Sequence, residues 1–289
     1  MKYLGVVVGP GKKSLSPVFQ QAALDALRLD IVYEAWPTAP DGLETRAATL
    51  RGEAVLGANV TIPHKEAILP LMDEVDSLAA RIGAVNTVVN EGGRLSGHNT
   101  DVEGFLRALR EDSGLDPAGR RVLVAGAGGA ARAVVVALAE ARATSVAVIS
   151  RTFSRALRLV EELRPHCGDS ELSALPDEYA SWALSSSGCD LLVNCTPAGS
   201  GPVSGGDDQE SAVPLGVLNS GMLVYDLVYV PAETPLMAAA RSCGARVLGG
   251  LPMLIYQGAA SFRLWTGRDA PVDVMFAAAR KALGLTGEA

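Results

Sequence analysis

The chain has 289 residues, 25 Lys plus Arg against 32 Asp plus Glu, a net charge of −7 and 48% hydrophobic residues. That composition excludes a disordered chain and argues against nucleic-acid or anionic-membrane binding, both of which need clustered basic charge. The mean hydropathy is +0.23, but the most apolar stretch, Val122–Ser150, is broken by Arg132, Glu140 and Arg142, short of the ~18 to 20 unbroken apolar residues of a spanning helix.

The length predicts roughly two domains of ~150 residues. Short β-branched runs alternate with segments of 3.6-residue period, the pattern of an α/β fold with a mostly parallel sheet. Tyr3–Val8 reads as a strand, without the long apolar region of a signal peptide. A helix over Val18–Leu29 is expected next, with Ser16 as N-cap and Pro17 at its first position. Ile31–Trp36 and Val55–Val60 are strands. VNTVVN and RLSGHN flank Glu91-Gly92-Gly93 as a hairpin, so the sheet of this half is expected to be mixed. Asp101–Glu111 is an amphipathic helix. The polar, Gly- and Pro-containing stretch Ser113–Arg120 marks a change of composition and a candidate boundary.

Beyond it a strand, turn and helix begin at RVLVAGAGGAARAVVVALAE. Strands at Ser145–Ser150, Asp190–Cys195, Met222–Tyr229 and Arg246–Leu248 alternate with helices. Gly199–Pro214 reads as a surface loop, and Leu251–Thr266 and Pro271–Leu283 as closing helices. Cys167, Cys189, Cys195 and Cys243 show no C-x-x-C spacing and are expected to be free thiols in a reducing cytoplasm. His64, His98 and His166 share no metal-ligand spacing, so no metal is expected.

Gly126-Ala-Gly128-Gly129-Ala130-Ala131 matches G-x-G-x-x-[GA] directly after a strand and at the opening of a helix. Such glycines permit a tight turn and close backbone approach to a pyrophosphate on the helix N-terminus. The bland alternative is a βα turn that serves packing alone. An NAD-binding unit places an acid at the end of its second strand. Here Ser150-Arg151-Thr152 with Arg155 stands instead, a set suited to a 2′-phosphate and hence to NADP. Solvated arginines on a helix turn would look the same.

Three clusters in the first half are polar without a periodicity that demands it. Ser14-Leu-Ser16-Pro17 is a plain N-cap or a carboxylate site. Asn59 and Thr61 share a strand face near its C-terminal end, where ligands bind in open α/β sheets. Lys65 follows a proline turn at the expected start of a short helix, and a surface lysine is the default reading. Asn86-Thr87 and Asn99-Thr100-Asp101 form the third cluster, in which Asp101 also reads as an ordinary helix cap.

These motifs, in this order, resemble the shikimate dehydrogenase family: Ser-Leu-Ser-Pro, Asn-Val-Thr-Ile-Pro-His-Lys, Gly83-Ala-Val-Asn86-Thr87 and Asn99-Thr100-Asp101-Val-Glu-Gly104-Phe. The glycine turn, Asn194-Cys-Thr196-Pro197, Tyr225-Asp-Leu-Val-Tyr229 and Gly250-Leu-Pro-Met253 with Gln257 continue the series. The resemblance implies reversible NADP-dependent reduction of 3-dehydroshikimate to shikimate in aromatic amino-acid biosynthesis, by a cytoplasmic monomer or homodimer. It implies a substrate-binding domain over residues 1–104 plus 252–289, a Rossmann-type NADP-binding domain over 105–251, and a cleft between them.

Residue by residue, it implies Lys65 and Asp101 as the catalytic pair, and Ser14, Ser16 and Tyr229 around the substrate carboxylate. Asn59, Thr61, Asn86 and Gln257 would hold the ring hydroxyls and carbonyl. Gly126, Gly128, Gly129, Ala130, Ala131, Ser150, Arg151, Thr152, Arg155, Thr196, Pro197, Gly250 and Met253 would line the cofactor. Met253 also reads as a core residue of an amphipathic helix. Two departures stand out: Ser150 replaces the usual Asn, and Gly9-Pro-Gly-Lys12-Lys13-Ser14 is one residue shorter than the family's Gly-x-Pro-Ile-x-His-Ser and lacks its His. Quinate users in the family tend to carry other residues at Ser16 and an acid near Arg151.

Overall fold

The computed structural model describes residues 1–201 and 211–285. Residues 202–210 of the loop expected over Gly199–Pro214 lie outside the described residues. The chain divides into two compact units, Met1–Gly104 with the segment from Ile255 onward, and Phe105–Leu254.

In chain order the elements are β1 (Lys2–Val8), α1 (Ser16–Ala26), β2 (Ile31–Pro37), α2 (Leu43–Leu50), β3 (Val55–Val60), β4 (Glu74–Val75), α3 (Ser77–Ile82), β5 (Thr87–Glu91), β6 (Arg94–His98) and α4 (Asp101–Glu111). There follow β7 (Arg121–Ala125), α5 (Gly129–Glu140), β8 (Ser145–Ile149), α6 (Phe153–Leu163), β9 (Glu171–Leu175), α7 (Tyr179–Ser186), β10 (Leu191–Asn194), β11 (Leu223–Asp226), α8 (Pro235–Ser242), β12 (Arg246–Leu248), α9 (Leu251–Thr266) and α10 (Val272–Ala282).

The first unit holds a mixed sheet of order β2-β1-β3-β5-β6-β4. β1 runs parallel to β2 and β3, and the β5–β6 hairpin turns the sheet antiparallel. Its core includes Val7, Leu43, Leu50, Ala58, Val60, Val85, Val88 and Leu95. From the closing helices, Trp265 Nε1 donates to Val88 O at 2.9 Å and Gln20 Nε2 donates to Gly258 O at 2.9 Å.

The second unit is a wholly parallel sheet of order β12-β11-β10-β7-β8-β9. Read from β9, that is 3-2-1-4-5-6 in strand order, the doubly wound arrangement that opens a crevice at the C-terminal ends of β7 and β10. Its central strands are buried along their length, as a sheet covered on both faces requires. α5 is buried continuously from Ala131 to Ala139, which explains its almost unbroken apolar run.

Two local expectations are corrected. Ser16 is not the cap of α1 but its first residue: Leu15 occupies the cap position, no side chain caps it, and Pro17 stands in the first turn. The Ser14 hydroxyl instead accepts the Ser16 N–H at 3.2 Å, so the helix begins earlier than the proline suggests. No helix starts at Lys65 either. The segment after the cis Ile62–Pro63 bond runs through turns until a short 3-10 turn at Leu69–Leu71.

Candidate active site

In the first unit the polar residues of three strand and helix ends converge. β3 delivers Asn59, β5 begins at Thr87 directly after Asn86, and α4 begins at Asp101. The α4 entry explains the carboxylate's freedom. Asn99 Oδ1 accepts the Asp101 N–H at 3.0 Å while its amide holds Ala84 O at 2.8 Å. With Asn99 holding the first N–H of the helix, the Asp101 carboxylate is left to pair with Lys65.

Lys65 Nζ lies 2.6 Å from Asp101 Oδ2, the side chains being 14% and 4% exposed. The other oxygen, Oδ1, accepts from Asn86 Nδ2 at 2.9 Å. A buried ion pair is sustained only when its remaining lone pairs are met in this way. Asn86 is itself fixed: its Oδ1 accepts the Thr100 N–H at 2.8 Å and the Thr87 hydroxyl at 2.9 Å. Its amide also reaches Thr100 Oγ1 at 2.9 Å and Gln257 Oε1 at 3.3 Å. Asn59 Oδ1 accepts from Tyr33 at 2.7 Å, and Nδ2 donates to Ser261 Oγ at 2.9 Å.

The structure thus brings Lys65, Asp101, Asn86, Asn59 and Gln257 into one connected group. Ser16 is buried beside it, its hydroxyl bonded to Tyr33, whose phenol burial pushes well above the ordinary value against the opposing pull of that bond. Ser14 is half-buried. Thr61, also half-buried, bonds through its backbone to Val7 O and to the His64 N–H. Tyr229 belongs to the second unit. Sequence reasoning missed Tyr33 and Ser261. For Ser261 a signal existed, since it lies one helical turn beyond Gln257 on an otherwise apolar helix.

In the second unit Gly126 adopts φ +106°, and a side chain there would meet Thr196 Cγ2 at 3.1 Å and the Cys195 carbonyl carbon at 3.3 Å. Gly128 differs: it caps the 12-residue α5 without a side-chain bond, and a Cβ added to it would find nothing within 4 Å. With Gly129, half-buried Ala130 and buried Ala131, this leaves open ground before a helix N-terminus, which fits a pyrophosphate. Ser150 is half-buried, and Arg151, Thr152 and Arg155 are exposed at the start of α6. Among the described residues neither arginine enters an ion pair.

Thr196 and Pro197 follow β10, where Asn194 Oδ1 accepts the Thr196 N–H at 3.0 Å and its hydroxyl at 2.7 Å. Asn194 in turn donates to the wholly buried Asp226 at 2.9 Å. Burial raises the Asp226 carboxyl, opposed by bonds from Thr234, the Val228 N–H and Asn194. Gly250 is a packing glycine, because a Cβ there would fall 2.1 Å from Leu227 O. Met253 is buried. Among the described residues no His, Cys, Asp or Glu cluster could hold a metal.

Family models match three stretches: the shikimate dehydrogenase substrate binding domain over residues 6–88, shikimate/quinate 5-dehydrogenase over 109–190, and the shikimate 5′-dehydrogenase C-terminal domain over 250–280. Shikimate dehydrogenase (NADP(+)) of Moorella thermoacetica is 47% identical over 282 residues, covering 95% of this chain and 91% of the relative. The crystal structure of shikimate 5-dehydrogenase from Thermus thermophilus with NADP(H) and shikimate superposes with a TM-score of 0.85 at 41% identity, covering 98% of this chain and all of that one. Quinate dehydrogenase from Corynebacterium glutamicum with NAD also gives 0.85, at 32% identity, covering 96% and 98% of the two chains.

Proposed function

The chain belongs to the shikimate dehydrogenase family, and from that premise we propose that it interconverts 3-dehydroshikimate and shikimate with NADP(H), using Lys65 and Asp101 as its proton-transfer pair. The observation that carries this assignment of residues is the 2.6 Å ion pair, buried and held by Asn86.

NADPH, when bound, supplies the hydride. Reduction of the ketone also needs a proton at the carbonyl oxygen and a positive charge beside the developing alkoxide. The Lys65 ammonium offers both, and in the reverse direction its amine receives the hydroxyl proton. Asp101 aims the ammonium. Asn59, Thr61, Asn86 and Gln257 orient the ring, while Ser14 and Ser16 take the carboxylate. Gly126, Gly128 and Gly129 would cradle the pyrophosphate, and Arg151 with Arg155 the 2′-phosphate. Cys167, Cys189, Cys195 and Cys243 form no disulfide, which suits a reducing compartment, and the cytoplasm is the proposed location.

The test is initial-rate oxidation of shikimate and of quinate, each with NADP+ and with NAD+. Shikimate with NADP+ should be the fastest pair, and a preference for quinate with NAD+ would overturn the substrate and cofactor assignment. Lys65→Ala should retain NADP+ binding by fluorescence titration but lose turnover by at least ~10²-fold, the usual contribution of a general acid–base group. Near-normal turnover in that variant removes Lys65 from the mechanism.

A further inference from the structure

From Tyr33 to Asp101 the first unit carries an unbroken line of buried side-chain hydrogen bonds. Tyr33 Oη donates to Asn59 Oδ1 at 2.7 Å, and Asn59 Nδ2 donates to Ser261 Oγ at 2.9 Å. Ser261 Oγ lies 2.7 Å from Thr87 Oγ1, which donates to Asn86 Oδ1 at 2.9 Å. Asn86 Nδ2 then donates to Asp101 Oδ1 at 2.9 Å. The line ends on the carboxylate that Lys65 holds from its other side, and Ser16 bonds its far end at Tyr33.

The direction of the line follows from donor and acceptor inventory. The Thr100 N–H, which can only donate, fixes Asn86 Oδ1 as acceptor at 2.8 Å, and so turns the Asn86 amide toward Asp101. Asn86 Oδ1, an acceptor only, lies 2.9 Å from the Thr87 hydroxyl and takes its single hydrogen in the arrangement that aligns the line. The Thr87 oxygen is left to accept, and Ser261 is the partner at 2.7 Å. Ser261 has an alternative acceptor, its own helix carbonyl at Gln257, but at 3.0 Å. Every donor therefore points the same way, toward an acceptor-only carboxylate, and hydrogen bonds so aligned polarise one another.

We propose that Ser261 and Thr87 are positioning residues for the reaction, coupling the Ser16 end of the substrate site to the Lys65–Asp101 pair through the amides of Asn59 and Asn86. The inference rests on the proposed function. Loss of either hydroxyl takes one short bond from the amide of Asn59 or Asn86 and leaves its orientation to the remaining partners, Asn86 O for Asn59 and the Thr100 N–H for Asn86.

Thr87→Val keeps the shape of the side chain and removes its hydroxyl; Thr87→Ser keeps the hydroxyl and removes the methyl. Thr87→Val and Ser261→Ala should each lower kcat for shikimate oxidation roughly tenfold, the order expected from one lost buried bond, with the KM for NADP+ within about twofold of the parent. Thr87→Ser should recover most of that kcat. Parental kcat in Thr87→Val, or equal impairment of the Val and Ser variants, overturns the proposal, and this pair decides even if Ser261→Ala does not fold. Exchange of the Asn59 and Asn86 side-chain amide protons, followed by NMR without substrate, reads the line independently. It should be slow in the parent and faster in Thr87→Val; unchanged rates sink the proposal. A parent that fails to oxidise shikimate refutes the function but leaves the exchange measurement decisive for the line itself.

Discussion

Two glycines of the second unit serve opposite purposes, and substitution separates them. At Gly128 the backbone has an ordinary φ of −104° and a Cβ would meet nothing. Gly128→Ala should therefore leave stability within ~0.5 kcal/mol of the parent, yet raise the KM for NADP+ roughly tenfold by filling the ground a pyrophosphate needs. At Gly250 a Cβ would collide with the Leu227 carbonyl at 2.1 Å, so Gly250→Ala should cost about 3 kcal/mol in urea unfolding. If the two variants behaved alike, the distinction between cradle and packing glycine would fail. Both glycines were legible in the sequence as motif members, but not their different work, because a motif records that a side chain is excluded and not what excludes it. Lys65 and Asp101 stood out only through the family resemblance, since by position alone Lys65 reads as a surface lysine and Asp101 as a helix cap. Ser261 was missed although it lies one helical turn beyond Gln257, because that spacing acquires meaning only from Asn59 and Thr87, far away in the chain.

Among elements, strands were readable where valines cluster, as at β1 and β7. The two-residue β4 and the short α2 carry too little periodicity to be seen. α3 shows how a short helix is held. The Asp76 carboxylate accepts the Ala79 N–H at 2.7 Å as its N-cap and lies 2.8 Å from His98 Nδ1 on β6. Burial pushes this carboxyl up, but the His98 and backbone hydrogen bonds outweigh it and hold it below the usual range. A lowered carboxyl adds stability above its unfolded value of ~3.9, and that stability is lost as pH falls through the folded value. Asp76→Ala should accordingly be ~1 kcal/mol less stable than the parent at neutral pH. The gap should close well below pH ~3.9. A gap that persisted in acid would show that the cap acts through packing and not through charge.

At the scale of the whole molecule, the two units differ in how the chain builds them. The second is one continuous stretch, Phe105–Leu254, and contains its entire parallel sheet with the glycine turn and the Arg151–Arg155 corner. The first is discontinuous, and what returns from Ile255 onward is not peripheral. Trp265 anchors on Val88, Ser261 on Thr87, and Gly258 takes the Gln20 amide. A side chain at Gly258 would strike Phe19 at 2.5 Å, so α9 and α1 are in close contact. The fragment 105–254 should therefore melt cooperatively on its own, and NADP+ at a hundred times its Kd should stabilise it by ~2.7 kcal/mol. The fragment 1–104 should show no cooperative transition, because the buried donors and apolar faces that α9 and α10 satisfy would be left open. Joining residues 255–289 to it through a flexible linker should restore one. A cooperative transition in 1–104 alone would mean that the closing helices are dispensable to the fold. Their residues Gln257 and Ser261 would then serve the site alone.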